Sequence, residues 1–317
     1  MKVNILFSSV GRRVELVKSF RAASKELNID SKLVGVDMDE LAPALMFVDN
    51  RYKVPKLDND EFIPTIVNIC KKENISLIIP TLDTELLLYA KNKDFIENET
   101  GAKVMVSNEE VISIIRNKIN TYKFLKEKGF DTPKLIEQAE VDNKDYKFPL
   151  FIKPLDGSSS INNFKVNNER ELEFFKDYVP NPIIQEFVTG QEYCVDVFSD
   201  FEGNVITVVP KVRIAHRGGE ITKAKVVKDV EIIKLGKRLV ETLKPVGEIN
   251  FDCMKIDNRI KIIEINGRFA GGAPISFKAG ANTPKKLYQL LLGEKLNYNE
   301  NYEDEFTALR FDDAVYI

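Results

Sequence analysis

The most informative stretch of the chain reads Glu264-Ile265-Asn266-Gly267-Arg268, at the end of an apolar, strand-like run. Asp252 belongs to the preceding run, and Asp257-Asn258 between the two runs predicts a tight turn and an antiparallel hairpin. Because side chains alternate along a strand, Glu264 and Asn266 share one face, which Asp252 can join across the hairpin. The stretch therefore predicts a group of oxygen-bearing side chains on one face of two strands.

This group has the chemistry of a magnesium site. Two carboxylates and an amide oxygen suit Mg²⁺, or the similar Mn²⁺, because Mg²⁺ is normally held by few protein oxygens together with substrate phosphates. Arg268 follows on the same face, and its planar guanidinium can bind a phosphate with two donors. On spacing alone, an edge hairpin with a solvated polar face explains the pattern equally well. Gly271 and Gly272 favour the ligand site, since they let a backbone approach a ligand closely.

A second signal is the strand-like run Phe151-Ile152-Lys153, which is followed by Gly157-Ser158-Ser159-Ser160. Backbone N–H groups and hydroxyls of such a segment can cover phosphates, while Lys153 supplies a positive charge. The segment is not a Walker loop, because no Gly-Lys-Ser/Thr follows at the required spacing. An ordinary turn after a strand is the alternative.

A third signal is a strand-like run that breaks at Thr189-Gly190 and restarts at Glu192. The break leaves backbone groups near Glu186, Phe187 and Val188 unpaired, and an adenine edge could satisfy them. Glu192 would then be placed for ribose hydroxyls. A hairpin turn with surface glutamates explains the segment equally well.

Strand-like and helix-like patterns alternate in the front of the chain. This alternation predicts an α/β fold there, with a Rossmann-like parallel sheet over residues 1–110. Helical patterns continue to Gly129, and hairpin-connected strands then predict an α+β second half. The strand-like runs of that half are residues 150–153, 183–188, 193–198, 205–214, 249–256 and 260–265, and its helices are residues 169–178, 230–243 and 284–292.

Composition excludes several classes of protein. The 317 residues include 46 basic and 49 acidic side chains, so there is no general electrostatic reason to bind nucleic acid. No apolar run approaches the roughly 20 residues that span a bilayer and no signal-peptide pattern opens the chain, so we expect a cytoplasmic protein without membrane contact. Cys70, Cys194 and Cys253 lie far apart in apolar sequence, which favours buried reduced thiols.

Together these elements resemble the ATP-grasp superfamily, and most closely its carbamoyl-phosphate-synthetase-like members. The resemblance covers nearly the whole chain and rests on Lys118, Lys153 with Gly157 to Ser160, Glu186-x-x-x-Gly190-x-Glu192, Asp252 and Glu264-x-Asn266-x-Arg268. It implies a pre-ATP-grasp domain at residues 1–110, connector helices with the small lobe at 111–190, and the large lobe with the metal site at 191–317.

The resemblance also implies a role for each matched residue, towards either the nucleotide or the metal. Lys118 and Lys153 would contact ATP phosphates, residues 186–188 would border adenine, Glu192 would bind ribose, Asp252, Glu264 and Asn266 would hold one or two Mg²⁺, and Arg268 would face the transferred phosphoryl group.

Residues 213–222 are similar to a loop of carbamoyl phosphate synthetase in which a histidine meets the reacting intermediate. His216, the only histidine of the chain, would take that place, and a solvated loop residue is the alternative. Arg213 and Arg217 are candidates for stabilising phosphoryl charge, because arginine stays cationic and offers two donors. A single ATP-grasp unit without a glutaminase segment argues against carbamoyl phosphate synthesis itself.

Two further segments follow predicted strands of the front sheet, Gly11-Arg12-Arg13 and Thr81-Leu82-Asp83-Thr84-Glu85. Ligands of open α/β sheets bind at this edge, so the arginines could hold an anionic substrate and the second segment could form an acceptor site. A solvated helix start and helix capping are the alternatives.

The activity implied by the resemblance is that of a ligase, which uses ATP and Mg²⁺ to activate a carboxylate as an acyl phosphate for attack by an amine. Small-molecule carboxylates and amines are then its partners, and a homodimer is expected on general grounds. Bicarbonate phosphorylation and a non-catalytic ATP-binding regulatory module are the alternatives. A dinucleotide oxidoreductase is disfavoured, because Gly11 lacks the other glycines of the G-x-G-x-x-G pattern.

Overall fold

The front of the protein is a parallel sheet that is buried on both faces. The computed structural model describes residues 2–157 and 161–317. The sheet has the order β3-β2-β1-β4-β5. Ile5 and Phe7 pack towards the first helix with Phe20, whereas Leu6 packs towards the opposite face with Phe62. Burial of both faces explains why the first strand is a continuous apolar run. The elements are β1 (Asn4–Ser8), α1 (Val14–Glu26), β2 (Leu33–Asp37), β3 (Asn50–Lys53), α2 (Phe62–Glu73), β4 (Ile75–Pro80), α3 (Leu86–Thr100) and β5 (Lys103–Val104), with short 3-10 helices at Pro43–Phe47 and Asp83–Glu85.

Two helices connect this sheet to a small antiparallel sheet with the order β6-β9-β7-β8. One face of the small sheet packs on a helix through a compact cluster that includes Leu150, Ile152, Leu172 and Ile184. The other face carries Lys153, as the alternation of side chains requires. The elements are α4 (Glu109–Arg116), α5 (Lys118–Glu127), β6 (Leu135–Ile136), α6 (Gln138–Asp142), β7 (Leu150–Pro154), β8 (Phe164–Val166), α7 (Glu169–Tyr178) and β9 (Pro182–Glu186).

The third sheet is antiparallel and has six strands in the order β14-β13-β10-β11-β12-β15. Val195, Val197 and Phe251 lie on the face that packs against Ile232 and Leu239 of a long helix. The opposite face carries most of the polar side chains predicted to form the site. The elements are β10 (Gln191–Ser199), β11 (Val205–Arg217), β12 (Glu220–Val226), α8 (Val230–Leu243), β13 (Gly247–Ile256), β14 (Arg259–Asn266), α9 (Ala273–Lys278), α10 (Thr283–Leu291) and β15 (Thr307–Leu309).

The predicted combination of an α/β front and an α+β second half is confirmed. Two local predictions are corrected. The strand predicted to reach Val188 ends at Glu186, where the chain turns into β10. Residues 213–222, predicted as a loop, form a hairpin between β11 and β12, because Gly218 and Gly219 adopt φ values of 56° and 77° and close a two-residue turn. Within the described residues, no helix combines the length and apolarity needed to cross a membrane.

Candidate active site

The three predicted metal ligands lie together on β13 and β14. Asp252 stands directly opposite Glu264 in the antiparallel ladder, and Asn266 lies opposite Asn250 one step along. The amide nitrogen of Asn266 is 3.5 Å from Oε1 of Glu264. Residues that face each other across such a ladder point to the same side. The hairpin therefore brings the three side chains onto one face, as the sequence predicts.

Asp252 offers one carboxylate oxygen to a ligand. Its Oδ2 accepts a hydrogen bond from Arg213 at 3.1 Å, while its Oδ1 is buried and has no partner among the described residues. Burial raises the pKa of Asp252 to about 6, although the Arg213 guanidinium opposes this rise. A buried, unpartnered carboxylate oxygen is costly unless something occupies it.

The set suits a cation that is shared with phosphate. Among the described residues, no three His, Cys, Asp or Glu side chains form a metal cluster of their own. Mg²⁺ requires no such cluster, because it usually takes one or two carboxylates and completes its shell with water and substrate phosphates. The unpartnered Oδ1 of Asp252, the Glu264 carboxylate opposite it and the adjacent Asn266 amide fit this kind of binding.

Arg213 connects the predicted metal set, which is Asp252, Glu264 and Asn266, to Glu192, the predicted ribose ligand. Its Nη1 donates to Glu192 at 2.6 Å while its Nη2 donates to Asp252. Burial opposes the charge of Arg213, but the two carboxylates raise its pKa above the usual value. With both nitrogens engaged, Arg213 orders these two carboxylates in the structure.

Lys153 and Lys118 face the metal set from the small sheet and the connector. Lys153 is only 3% exposed, its Nζ lies 6.0 Å from the Phe151 ring, and burial lowers its pKa to about 8. The negative charge of Glu264 opposes this fall in the pKa of Lys153. Lys118 Nζ donates to the carbonyl oxygens of Leu155 at 3.1 Å and Gly157 at 2.7 Å. Lys118 therefore holds the segment after β7, and Lys153 is the more isolated cation.

Residues 186–188, which are predicted to border adenine, differ in whether their groups already have partners in the structure. Glu186 accepts hydrogen bonds from Lys261 and from the backbone N–H of Lys134, so its side chain is engaged in the structure. Phe187 N donates to Pro149 O at 3.3 Å. Within the described part of the chain, Val188 N has no acceptor. The Phe187 ring lies 6.3 Å from that of Phe151, on the Lys153 side of the sheet. Phe187 and the Val188 N–H are thus the groups left for a base.

Arg268 is tied to the front sheet. Its Nε and Nη2 donate to Oδ2 of Asp83 at 3.1 and 2.7 Å, and its Nη1 donates to Phe269 O at 3.3 Å. Asp83 belongs to the segment after β4 that the sequence predicts as an acceptor site. The ion pair joins this segment to the end of β14, so Arg268 lies between the predicted metal set and the predicted acceptor site.

The remaining predicted residues lie further out. His216 is exposed near the end of β11, and Arg217 is exposed and pairs with Asp312 at 2.7 Å. Gly157 follows β7, while Ser158, Ser159 and Ser160 lie outside the described residues. In the structure, Arg217 is therefore engaged in an ion pair with Asp312 and is not a free cation beside the predicted metal ligands.

A buried polar network under the site is absent from the sequence-based prediction. Asn250 donates to Asp196 at 3.1 Å, and Asp196 pairs with the buried Lys211, which also lies 3.2 Å from Ser276. The signal was present in the sequence: polar residues alternate along apolar strands, as in Glu248-x-Asn250-x-Asp252. Such alternation places a continuous polar row on one face of the sheet.

Two family models match the chain. Residues 115–272 match the ATP-grasp domain, and residues 5–105 match the N-terminal domain of PylC-like proteins. A D-alanine–D-alanine ligase of Fusobacterium nucleatum is 25% identical over 178 residues, which are 53% of this chain and 59% of the relative. A carbamoyl phosphate synthase large chain of Pseudothermotoga lettingae is 26% identical over 259 residues, which are 73% of this chain and 23% of the relative. The chain thus spans less than two thirds of the length of these relatives.

Solved structures share the fold at low identity. N5-carboxyaminoimidazole synthetase from Staphylococcus aureus, complexed with ADP, superposes with a TM-score of 0.75 and 15% identity, covering 94% of this chain and 80% of that one. The biotin carboxylase domain of Hydrogenobacter thermophilus 2-oxoglutarate carboxylase, in complex with MgADP and bicarbonate, gives 0.73 and 17%, covering 97% and 72%. These likenesses extend over both halves of the chain.

Proposed function

Since the chain belongs to the ATP-grasp superfamily, we propose that it is an ATP- and Mg²⁺-dependent ligase, which activates a carboxylate as an acyl phosphate for attack by an amine. The observation that carries the proposal is Oδ1 of Asp252, which is buried without a partner among the described residues and belongs to the carboxylate opposite Glu264. The charge of Glu264 also acts on the pKa of Lys153. The buried Asp252 and the half-buried Glu264, next to the buried Lys153, suit a metal–phosphate complex better than solvent.

Some residues of the site would neutralise the charge of the nucleotide phosphates, and others would bind its base and ribose. Asp252, Glu264 and Asn266 would hold Mg²⁺, which neutralises phosphate charge when it is bound. Lys153 supplies a positive charge to the phosphates, and Lys118 holds the carbonyl groups of the segment that follows β7. On the base side, the Phe187 ring and the Val188 N–H support adenine binding. Glu192 would receive the ribose, in exchange for part of its bond with Arg213.

The reaction needs no protein nucleophile. A carboxylate oxygen of the substrate attacks the γ-phosphorus of ATP in line, so that an acyl–phosphate bond forms and the bond to the β-phosphate oxygen breaks, releasing ADP. The amine nitrogen then attacks the acyl carbon, forming the C–N bond. Inorganic phosphate leaves and the amine proton passes to solvent. Arg268 would meet the phosphoryl group through Nη1, which bonds only Phe269 O at 3.3 Å, or after leaving Asp83.

The test is ADP release from ATP and Mg²⁺ across a panel of carboxylates with amines, including bicarbonate because of the carbamoyl phosphate synthase relatives. We expect at least one pair to stimulate release. Glu264→Gln should lower that rate at least about 100-fold, because it removes a charge that holds the metal. Glu241→Gln, on the exposed side of α8, is the matched control and should retain the rate.

Two results would contradict the proposal. One is a Glu264→Gln variant that retains stimulated ADP release with an unchanged melting temperature. The other is nucleotide binding without stimulation by any substrate of the panel, which would favour a regulatory ATP-binding module.

A further inference from the structure

The ion pair with Asp83 occupies the arginine that the proposed function assigns to the phosphoryl group. Nε and Nη2 of Arg268 donate to Oδ2 of Asp83 at 3.1 and 2.7 Å, so both donors share one oxygen. In the described part of the chain, Asp83 forms no salt bridge with another side chain. The donor edge of Arg268 is thus engaged with a carboxylate of the front sheet.

A phosphoryl group would match this donor edge better than Asp83 does. Arginine binds an anion most strongly when two of its donors meet two different oxygens. Asp83 offers one oxygen to both donors, whereas a terminal phosphate has three oxygens and carries nearly two negative charges. The remaining nitrogen, Nη1, already donates to Phe269 O at 3.3 Å. Arg268 therefore binds a γ-phosphate best by turning the Nε–Nη2 edge away from Asp83.

The segment that carries Asp83 is held in place by the buried carboxylate of Glu85. Its Oε1 accepts hydrogen bonds from the backbone N–H groups of Thr81 and Leu82 at 2.6 and 3.0 Å. Its Oε2 accepts from two serine hydroxyls at the end of β1, at 2.7 and 2.8 Å. Because these bonds fix the chain directly before Asp83, this carboxylate cannot follow Arg268 towards the nucleotide.

Asp83 would be left without a cation when Arg268 turns away. Its side chain is only 9% exposed, and a carboxylate with so little access to water is unfavourable without a partner. Arg13 is nearby, but its Nη2 donates to Thr81 O at 3.3 Å and it forms no salt bridge with Asp83. The freed carboxylate therefore favours binding of a new cation.

We propose that Arg268 leaves Asp83 when the γ-phosphate of ATP binds, and that the freed Asp83 then binds the ammonium form of the amine substrate. The phosphate and the amine come from the proposed function, on which this inference rests. An aliphatic amine is cationic near neutral pH, so it replaces the charge of the departed guanidinium. Asp83 is thus blocked until ATP is present, and the amine binds after the nucleotide.

The first test compares the affinities of the whole chain for two nucleotides, ADP and a non-hydrolysable ATP analogue, with Mg²⁺ in isothermal titration calorimetry. Asp83→Asn should tighten binding of the analogue about 10-fold, because Arg268 no longer has to break charged hydrogen bonds. Binding of ADP, which lacks the γ-phosphate, should change by less than about twofold.

A double variant assigns this gain to Arg268. In the background of Arg268→Gln, Asp83→Asn should change neither affinity, because the competition is already absent. A general effect of removing negative charge near the phosphates would persist in that background. Glu220→Gln is the matched control, since Glu220 pairs with a different arginine, Arg310, at 3.4 Å, and it should change neither affinity. Melting temperatures without ligand report whether each variant folds.

Crystal structures of the wild type test the exchange without any variant. With Mg²⁺ and ADP, the pair of Arg268 and Asp83 should stay intact. With Mg²⁺ and the ATP analogue, Nη2 of Arg268 should lie beyond about 4 Å from the Asp83 carboxylate.

The order of binding is tested by thermal shift with the amines that stimulate ADP release in the panel described above. Each of them should raise the melting temperature in the presence of the ATP analogue, but neither with ADP nor without nucleotide. Asp83→Asn should abolish this increase, because the carboxylate charge that binds the ammonium group is lost.

The inference is overturned if Asp83→Asn binds the analogue no more tightly than the wild type, if the gain persists with Arg268→Gln, or if the analogue does not bind. It is also overturned if the ion pair stays intact beside a bound γ-phosphate, or if a stimulating amine binds equally well without the analogue. The affinities need no turnover, so they are decided separately from the ligase proposal. If no amine stimulates ADP release, the ligase proposal fails and the assignment of the amine fails with it, whereas the exchange of Arg268 is still decided by the affinities.

Discussion

Lys153 should take up a proton when the nucleotide binds. In the free protein, burial lowers the pKa of Lys153 to about 8. A bound triphosphate replaces the lost hydration with negative charge and therefore raises this pKa. The pKa is thus lower in the free protein than in the complex, which makes the coupled event an uptake of protons at pH values near and above 8.

The expected size follows from the titration of one group. A side chain with a pKa of about 8 is about half protonated at pH 8 and about nine-tenths protonated at pH 7. If the complex keeps Lys153 charged, binding takes up about 0.5 proton at pH 8 and about 0.9 at pH 9. At pH 8 and above the phosphates are already ionised and contribute little.

Isothermal titration calorimetry in buffers of different ionisation enthalpy measures this number directly. Lys153→Arg should show almost no uptake, because a guanidinium stays charged over the whole range. Lys286 provides a matched control: burial lowers its pKa to about 8 as well, but it lies on α10 beside Glu248. Lys286→Met should leave the uptake unchanged. Equal uptake by the wild type and Lys153→Arg would refute the placement of Lys153 at the phosphates.

Two further predictions concern stability and one concerns reactivity. Gly190→Ala should lower the free energy of unfolding by about 1–3 kcal/mol in urea titrations, because the new Cβ would collide with the backbone oxygen of Lys255. An unchanged midpoint would contradict the tight turn between β9 and β10. Lys211→Met should lower the free energy of unfolding by about 3–5 kcal/mol, since it leaves the buried Asp196 without its cation. The double variant Lys211→Met with Asp196→Leu should regain part of this loss. Equal stability of the single and the double variant would count against the buried pair. The thiol of Cys194 should react with a disulfide reagent at pH 8 only after denaturation, because burial raises its pKa to about 12; rapid reaction of the native protein would show that the thiol is accessible.

The hairpin that carries the metal set could be predicted from the sequence because its signals are local. Alternation fixes the faces along β13 and β14, and Asp257-Asn258 fixes the turn that joins the two strands. A bulge after Asp252 shifts the register, and no sequence signal marks it. Without this bulge the turn would place Asp252 opposite Ile263, so the bulge is what brings Asp252 opposite Glu264.

The partners of the arginines could not be predicted, since they come from distant parts of the chain. Arg268 bonds Asp83 across 185 positions, and Arg217 bonds Asp312 across 95. Sequence patterns give the face on which a side chain lies but not the carboxylate that reaches it from another sheet. The short strands β3 and β15 also escape prediction, because their pairing with longer strands, rather than their own propensity, makes them strands.

Several predictions from the sequence are tested neither by the fold nor by the family matches. The boundaries at residues 110 and 190, the roles of the individual site residues, the homodimer and the cytoplasmic location stay predictions. The family assignment is independent of them, because it rests on residues 115–272 and 5–105.

The central claim is that a magnesium–triphosphate complex is bound between Lys153 on the small sheet and the carboxylates of β13 and β14. A crystal structure with Mg²⁺ and a non-hydrolysable ATP analogue tests it most directly. We predict a metal ion about 2.0–2.1 Å from oxygens of Asp252 and Glu264, with Lys153 Nζ in hydrogen-bond contact with a phosphate oxygen. Nucleotide bound elsewhere, or a metal ion that touches neither carboxylate, would contradict the claim.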